Sequence, residues 1–293
     1  MASWIPLAGA RWRIAYCIGA CFIPQVLGIA PAAAQLLPTP ALSIPRTSKS
    51  NFDWGFSTGF DIVAGKYGAN CAASIHALTC TTTGTTVFEL PATAMLQVGR
   101  LRLEATVPFV DIEGPGRFSG NLGIPVIVAP ASTDPKHRSG LGDFTIGAAW
   151  LISREDTFLP GIEIAGVTKL PTAGSGLGTG KSDYGAQVNL YRTFTPWLTA
   201  YGSLGYLWVG DINTIQLHSG VHATAGADFK IFSFGGGAML DFQQSAWQGA
   251  PSYSTLDPYL TWHMLGGVGV TLYTTIGVTR ASPSRGIGLR LSL

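Results

Sequence analysis

The sequence predicts an all-β chain: a single antiparallel transmembrane β-barrel of about 12 strands over residues 51–293, with periplasmic termini and long extracellular loops. Three observations carry this. After residue 50 the apolar side chains recur at every second position, in stretches of about 9 to 14 residues, the length a tilted strand needs to cross a bilayer. No segment there offers the 18 or more uninterrupted apolar residues of a membrane helix, and no long 3.6-residue period appears. The connectors alternate between short and long, as they must where turns gather at one end of a barrel and loops at the other.

The first strand spans 52–65. Trp54, Phe56, Thr58, Phe60 and Ile62 fall on one face, and Asp53, Gly55, Ser57, Gly59 and Asp61 on the other. Further stretches follow near 86–98, 100–112, 141–153, 159–170, 182–194, 197–210, 218–231, 233–244, 252–263, 267–279 and 285–293. In 100–109, Leu101, Leu103, Ala105, Val107 and Phe109 oppose Arg100, Arg102, Glu104 and Thr106; in 221–230, Val221, Ala223, Ala225, Ala227 and Phe229 oppose His222, Thr224, Asp228 and Lys230. Short connectors lie at Gly99, 154–158, 195–196, Phe232 and 264–266, and the longer loops are notably 66–85, 113–140 and 171–181. The strands are too long for a secreted β-sandwich, whose strands run to about five or six residues. Trp54, Trp150, Trp197, Trp208, Trp262, Tyr184 and Tyr206 stand near strand ends or on the apolar face, as interfacial belts require.

Composition fits. Glycine supplies 38 of 293 residues and charged residues only 12%, while 46% are hydrophobic, which excludes a disordered chain. A net charge of +2 with no basic block removes the electrostatic drive for nucleic-acid binding, so no DNA or RNA partner is expected. Residues 1–34 read as a signal peptide: Arg11 and Arg13 are the charged region, 14–30 the apolar stretch, and Ala32-Ala33-Ala34 the cleavage site. Ile18-Gly19-Ala20-Cys21 resembles a lipobox, but too short an apolar run precedes Cys21. Cleavage removes two of the 18 bases and leaves the 16 acids matched, with residues 35–50 as a periplasmic N-terminal segment. Export permits oxidation, and Cys71 and Cys80 are expected to form one disulfide closing a loop; with His76 they would make only three of the four ligands of a structural zinc site.

Three stretches carry a family resemblance: Gly99 to Val110 (GRLRLEATVPFV), Gly140 to Leu151 (GLGDFTIGAAWL) and Lys169 to Tyr184 (KLPTAGSGLGTGKSDY). Over roughly residues 86–293 the chain resembles the outer-membrane family of MetA-pathway phenol-degradation proteins, often called simply transporters. In that family a strand ends in a proline near the outer rim, a Gly-Asp opens the next strand, and a Leu-Pro-Thr-Gly segment precedes a loop with Gly-x-Gly and Ser-Asp. Pro108, Gly142-Asp143, Leu170-Pro171-Thr172, Gly178-Thr179-Gly180 and Ser182-Asp183 occupy those places, with Ala173 where Gly is usual. The resemblance implies an outer-membrane barrel of a Gram-negative bacterium, tied to aromatic-compound catabolism or passage of small hydrophobic molecules, and supplies no catalytic residues. The chain ends in Leu293, whereas barrels usually finish with an aromatic.

No enzyme, cofactor or metal is expected. In 174–182 the residue five before Gly180 is Ser175, which breaks the phosphate-loop spacing. Gly55-Phe-Ser57-Thr-Gly59 has the nucleophile-elbow pattern but lies inside an alternating strand. His218 and His222, four apart, would share one strand face and could seat a metal with Asp228, but two histidines near a loop are more often incidental, and neither His222 nor His263 is tied by spacing to a serine. Function is placed in the lumen. Alternation turns inward ten acids (Asp53, Asp61, Glu89, Glu104, Asp143, Glu163, Asp183, Asp228, Asp241, Asp257) and five bases (Arg100, Arg102, Lys169, Lys230, Arg290), with His222. Such charges either line a water path or fill a narrow barrel as salt bridges. The expectation is a barrel that passes or binds a small, hydrophobic or aromatic solute, with the 113–140 loop at its outer mouth. The alternatives are a plugged structural barrel and a lipid-modifying outer-membrane enzyme. Outer-membrane lipids and the barrel-assembly machinery are the expected partners.

Overall fold

The computed structural model describes residues 52–65, 71–74, 77–80, 84–114, 117–121, 124–128, 137–174, 177–210, 218–246, 252–264 and 267–293. The expected signal peptide and the 35–50 segment lie outside the described residues. The strands are β1 (Phe52–Gly65), β2 (Cys71–Ser74), β3 (Ala77–Cys80), β4 (Thr85–Val98), β5 (Leu101–Glu113), β6 (Arg117–Asn121), β7 (Ile124–Val128), β8 (His137–Leu141) and β9 (Phe144–Ser153). There follow β10 (Gly161–Leu170), β11 (Asp183–Thr195), β12 (Leu198–Trp208), β13 (Gly220–Ile231), β14 (Phe234–Gln243), β15 (Tyr253–His263), β16 (Gly269–Gly277) and β17 (Arg285–Ser292).

Thirteen of these strands form one antiparallel sheet that closes on itself. Neighbours in sequence pair in up-and-down order, and β1 closes the ring against β17, with Ser57 opposite Ser292 and Ala64 opposite Arg285. Because β8 and β9 both pair with β5, over 109–113 and 101–106, they share one place in the wall, which therefore has twelve positions. No helix among the described residues is long and apolar enough to cross a membrane; the crossing elements are the strands.

The wall is inverted relative to a soluble protein. Along β11, Asp183, Gly185, Gln187, Asn189 and Tyr191 are buried, while Tyr184, Ala186, Val188 and Leu190 between them are exposed. The same holds around the ring: Ile62, Leu103, Ile164, Leu204, Leu256 and Ile276 face outward, and the buried set is rich in Asp, Gln, Thr, Arg and Ser. An aqueous solvent would leave those leucines and isoleucines in water at a cost of about 1.5–3 kcal/mol each; lipid chains remove that cost. Trp54, Trp150, Trp197 and Trp262 are exposed near the short-turn end, with Phe234 stacked on Trp262 at 6.2 Å, and Tyr184, Tyr206 and Trp208 near the long-loop end. These are two interfacial girdles.

Several local expectations change. Arg100 sits in the two-residue turn after β4, exposed, with Nη1 donating to the Ile152 carbonyl at 3.3 Å, and is not an inward side chain. Pro108 does not end a strand: β5 runs on to Glu113, and Pro108 stands opposite Pro91 of β4. The 113–140 connection holds strand structure, because β8 extends the wall, and β6 pairs with β7; the rest of it lies outside the described residues. In the β2–β3 hairpin the backbone register sets Cys71 opposite Cys80; the expected disulfide itself, and the His76 alternative, lie outside the described residues.

Inward glycines make room for inward rings. Gly161 is the cross-strand partner of Tyr191, Gly226 of Tyr201, Gly237 of Tyr259 and Gly288 of Tyr273. A Cβ on Gly161 would collide with ring carbons of Tyr191, on Gly226 or Gly288 with the partner's Cζ and hydroxyl, and on Gly237 with the Tyr259 hydroxyl. Each tyrosine therefore lies flat along the wall over a glycine. Gly226→Val should lower stability by about 1–3 kcal/mol, the usual cost of overpacking, and much less in a Tyr201→Ala background. The measurement is the urea midpoint for loss of the fast-migrating, unboiled band on a denaturing gel; equal costs in both backgrounds would refute the pairing.

The 154–160 turn makes a second test. Asp156 Oδ1 accepts the N–H groups of Phe158 and Leu159, both at 2.8 Å, and these donors hold its carboxyl below the ordinary value of 3.8. Arg192 braces the same turn by donating to the carbonyls of Asp156, Thr157 and Leu159. The ionised form is favoured in the folded state, so this contribution is full above the ordinary value of 3.8 and fades as pH falls through the lower, folded one. Wild type should exceed Asp156→Asn in urea midpoint near neutrality, with the gap closing in acid; a pH-independent gap would contradict it.

Candidate functional site

The barrel interior is the candidate site. It is built from side chains that the pleat turns inward, and they sort into three compensated groups and one uncompensated wall.

At the long-loop end, Lys169 of β10 is fully buried opposite Asp183 of β11. Its Nζ lies 2.7 Å from Asp183 Oδ2 and 3.2 Å from Asp143 Oδ2, and donates to Thr179 Oγ1 at 3.1 Å. The carboxylates are anchored in turn: Asp143 Oδ1 accepts from Ala173 N, and Asp183 Oδ1 from Gly210 N, each at 2.9 Å. One ammonium thus ties two strands, the Gly142-Asp143 break and the 171–182 loop. Leu177 of that loop packs against Val87, Val110 and Ile112 inside the mouth. Sequence reasoning did not assign Leu177; an isolated leucine between glycines was the available signal. Arg138 of β8, also buried at this end, was likewise hidden in a stretch read as loop.

Toward the short turns, Arg102 of β5 reaches over the buried Ala149 to Glu163 of β10, Nη2 to Oε1 2.7 Å. Glu163 Oε1 also accepts from Asn189 at 2.8 Å, Gln187 donates to Asn189 at 2.6 Å, and Glu104 lies 3.7 Å from Arg102 Nε. In the third group Arg290 of β17 lies 3.6 Å from Asp61 of β1, which is registered opposite Glu89 of β4.

The fourth group has no base. Asp228 of β13, Asp241 of β14 and Asp257 of β15 are at most 4% exposed. Asp241 accepts from Thr224 at 2.6 Å and Asp257 from Thr255 at 2.7 Å, whereas Asp228 Oδ1 has no partner. Beside them Tyr191, Tyr201, Tyr259 and Tyr273 form a belt with Met239 and Leu151, and the Tyr201 and Tyr259 hydroxyls are 3.5 Å apart. Nothing in the spacing revealed this belt, because each ring's place depends on a glycine in another strand.

Of the remaining expected side chains, His222 is buried with Nε2 unpartnered, Lys230 and Asp53 are half-buried, and His218 is exposed rather than beside His222. Ser57 is buried in β1. Among the described residues no group of three His, Cys, Asp or Glu side chains could hold a metal ion.

Breaking a buried pair leaves an uncompensated charge and costs about 3–5 kcal/mol. Lys169→Met should lower the urea midpoint by a corresponding amount, and adding Asp143→Asn and Asp183→Asn should restore most of it. A Lys169→Met midpoint equal to wild type would show that the triad does not hold the mouth together.

No family model matches the chain, and no curated protein matches it. Solved structures do. The COG4313 outer membrane channel from Pseudomonas putida F1 aligns with a TM-score of 0.61 at 12% identity, over 84% of this chain and 96% of that one. The transport unit of the autotransporter AIDA-I from Escherichia coli aligns at 0.45 and 11% identity, over 87% and 93%. The Ralstonia pickettii toluene transporter TbuX aligns at 0.39 and 11%, over 90% and 93%. The chain has the fold of an outer-membrane β-barrel.

Proposed function

We propose that this barrel sits in the outer membrane of a Gram-negative bacterium, with its short turns and both strand termini in the periplasm, and passes or binds small hydrophobic or aromatic compounds. The observation that carries this is the tyrosine and methionine belt inside a lumen that also carries many charged and polar side chains. A ring system crossing a charged lumen needs such a surface, since aromatic faces attract aromatic partners by about 0.5–1.5 kcal/mol beyond area burial. The likeness to a protein named as an outer membrane channel supports the same reading.

The plugged structural barrel keeps one specific support: the Arg102–Glu163–Asn189 and Lys169 networks fill space with interlocked side chains. A lipid-modifying enzyme has less. Among the described residues no serine hydroxyl hydrogen-bonds to His222 Nε2, and the COG4313 protein reported above is named as a channel.

The refolded protein in liposomes should admit permanently charged aromatic solutes faster than sugars of similar size, by about tenfold for a belt contributing about 1.4 kcal/mol. Charged solutes are required because neutral phenols cross lipid unaided. Equal entry would make it a general pore, and no entry a plugged barrel.

A further inference from the structure

Charge compensation in the lumen is lopsided. The ion pairs that tie the inward side chains described above belong to the three groups built on Lys169, Arg102 and Arg290. None reaches Asp228, Asp241 or Asp257, which occupy three consecutive strands; their hydrogen bonds come from threonine hydroxyls. The register places them together with the tyrosines. Asp257 is opposite Met239 and Met239 opposite Gly226, which is itself the partner of Tyr201. Asp228 is opposite Gly237, the partner of Tyr259, and Tyr259 is opposite Tyr273. All three carboxylates lie within electrostatic reach of the Tyr201 hydroxyl, and Asp228 within reach of Tyr259 as well.

One carboxylate oxygen in this wall is buried without a partner: Asp228 Oδ1, on a residue 4% exposed. A native interior rarely leaves such atoms unsatisfied unless something else supplies the missing bond. Buried carboxylates without a countercharge take up either a proton or a cation. The carboxylates do not converge as a metal's ligands would, but they are spread along a surface of phenol rings, whose faces attract organic cations.

We propose that the wall formed by Asp228, Asp241 and Asp257 with Tyr201, Tyr259 and Tyr273 is a subsite for an organic ammonium ion carrying an apolar body. The charge is met by the carboxylates and the body by the ring faces. This rests on the reading of the barrel as a passage for hydrophobic or aromatic compounds, and narrows it: a benzoate-like anion would be repelled where an aromatic ammonium is held.

The test is equilibrium binding to the folded protein in detergent, which does not depend on flux. Calorimetric titration with benzyltrimethylammonium is compared with phenylacetate, an anion of similar size. The cation should bind at least about tenfold more tightly, as expected for combined ion pairing and cation–π contact. Asp228→Asn with Asp241→Asn and Asp257→Asn, which removes charge at constant volume, should abolish that preference while keeping the fast-migrating band. Asp228→Asn alone, the position with the fewest partners to lose, should reduce cation affinity several-fold if the triple variant fails to fold. Equal binding of both ions, no binding of either, or an unchanged preference in a folded variant would overturn the subsite. Preferential cation binding without liposome entry would refute passage and leave the subsite standing; entry of aromatic solutes without cation preference would do the reverse.

Discussion

The constraint on which everything else depends is that hydrocarbon offers backbone amides no hydrogen-bond partner. Each unsatisfied N–H or C=O at membrane depth costs several kcal/mol, so a sheet crossing a bilayer has to close. Here closure rests on the β1–β17 ladder, which joins one end of the described chain to the other: Ser57 pairs with Ser292, and Phe56 and Leu293 exchange backbone bonds just beyond it. The pleat then does the sorting. With the wall closed, period-two alternation sends one set of side chains to lipid and the other into a narrow lumen, and the polar burial of this chain follows from geometry.

A narrow lumen creates a volume problem, solved in two ways. Where the pleat turns in tyrosines, the opposing strand supplies glycine, so the ring lies along the wall instead of across the opening. Where it turns in an arginine, small residues make the path: Arg102 passes Ala149 to reach Glu163. High glycine content is therefore a property of the interior as much as of the turns. Gly99, with φ of +60°, is one of the turn positions that does need glycine's backbone freedom; Phe232, at φ +54°, tolerates the same region in a tight turn with its side chain wholly outside.

What was legible in the sequence was whatever depends on a residue's own position in a strand. Trp54, Leu103, Val188 and Leu256 announce the lipid face, and Asp61, Glu163 and Asp241 the inner one, because the period is local. Sequence could not reveal what depends on register. That Lys169 meets both Asp183 and Asp143, or that Tyr201 needs Gly226, is fixed by how neighbouring strands slide against each other. Arg100 was misassigned for the converse reason: alternation was carried one residue past the strand into a turn that releases the side chain. Pro108 misled because a proline lacking an N–H is read as a stop, yet it stands opposite Pro91 in a continuing strand, and the carbonyl of Pro108 is taken up by Gly142 N at 2.8 Å.

Polar filling and hydrophobic passage are compatible once the interior is viewed as surfaces rather than as a total charge. The lysine and the two arginines of the compensated groups are committed to locking strands and the mouth together, and their carboxylate partners are committed with them. On the proposed reading, what is left to a solute is the wall those groups do not use: phenol rings, a thioether and three carboxylates. A sequence count of acids and bases gives only the sign of the imbalance. The ion pairs decide where it is felt, because in a low-dielectric interior a paired charge presents little field beyond its partner while an unpaired one dominates its surroundings. The same pairing that stabilises one side of the barrel therefore sets the chemistry of the other.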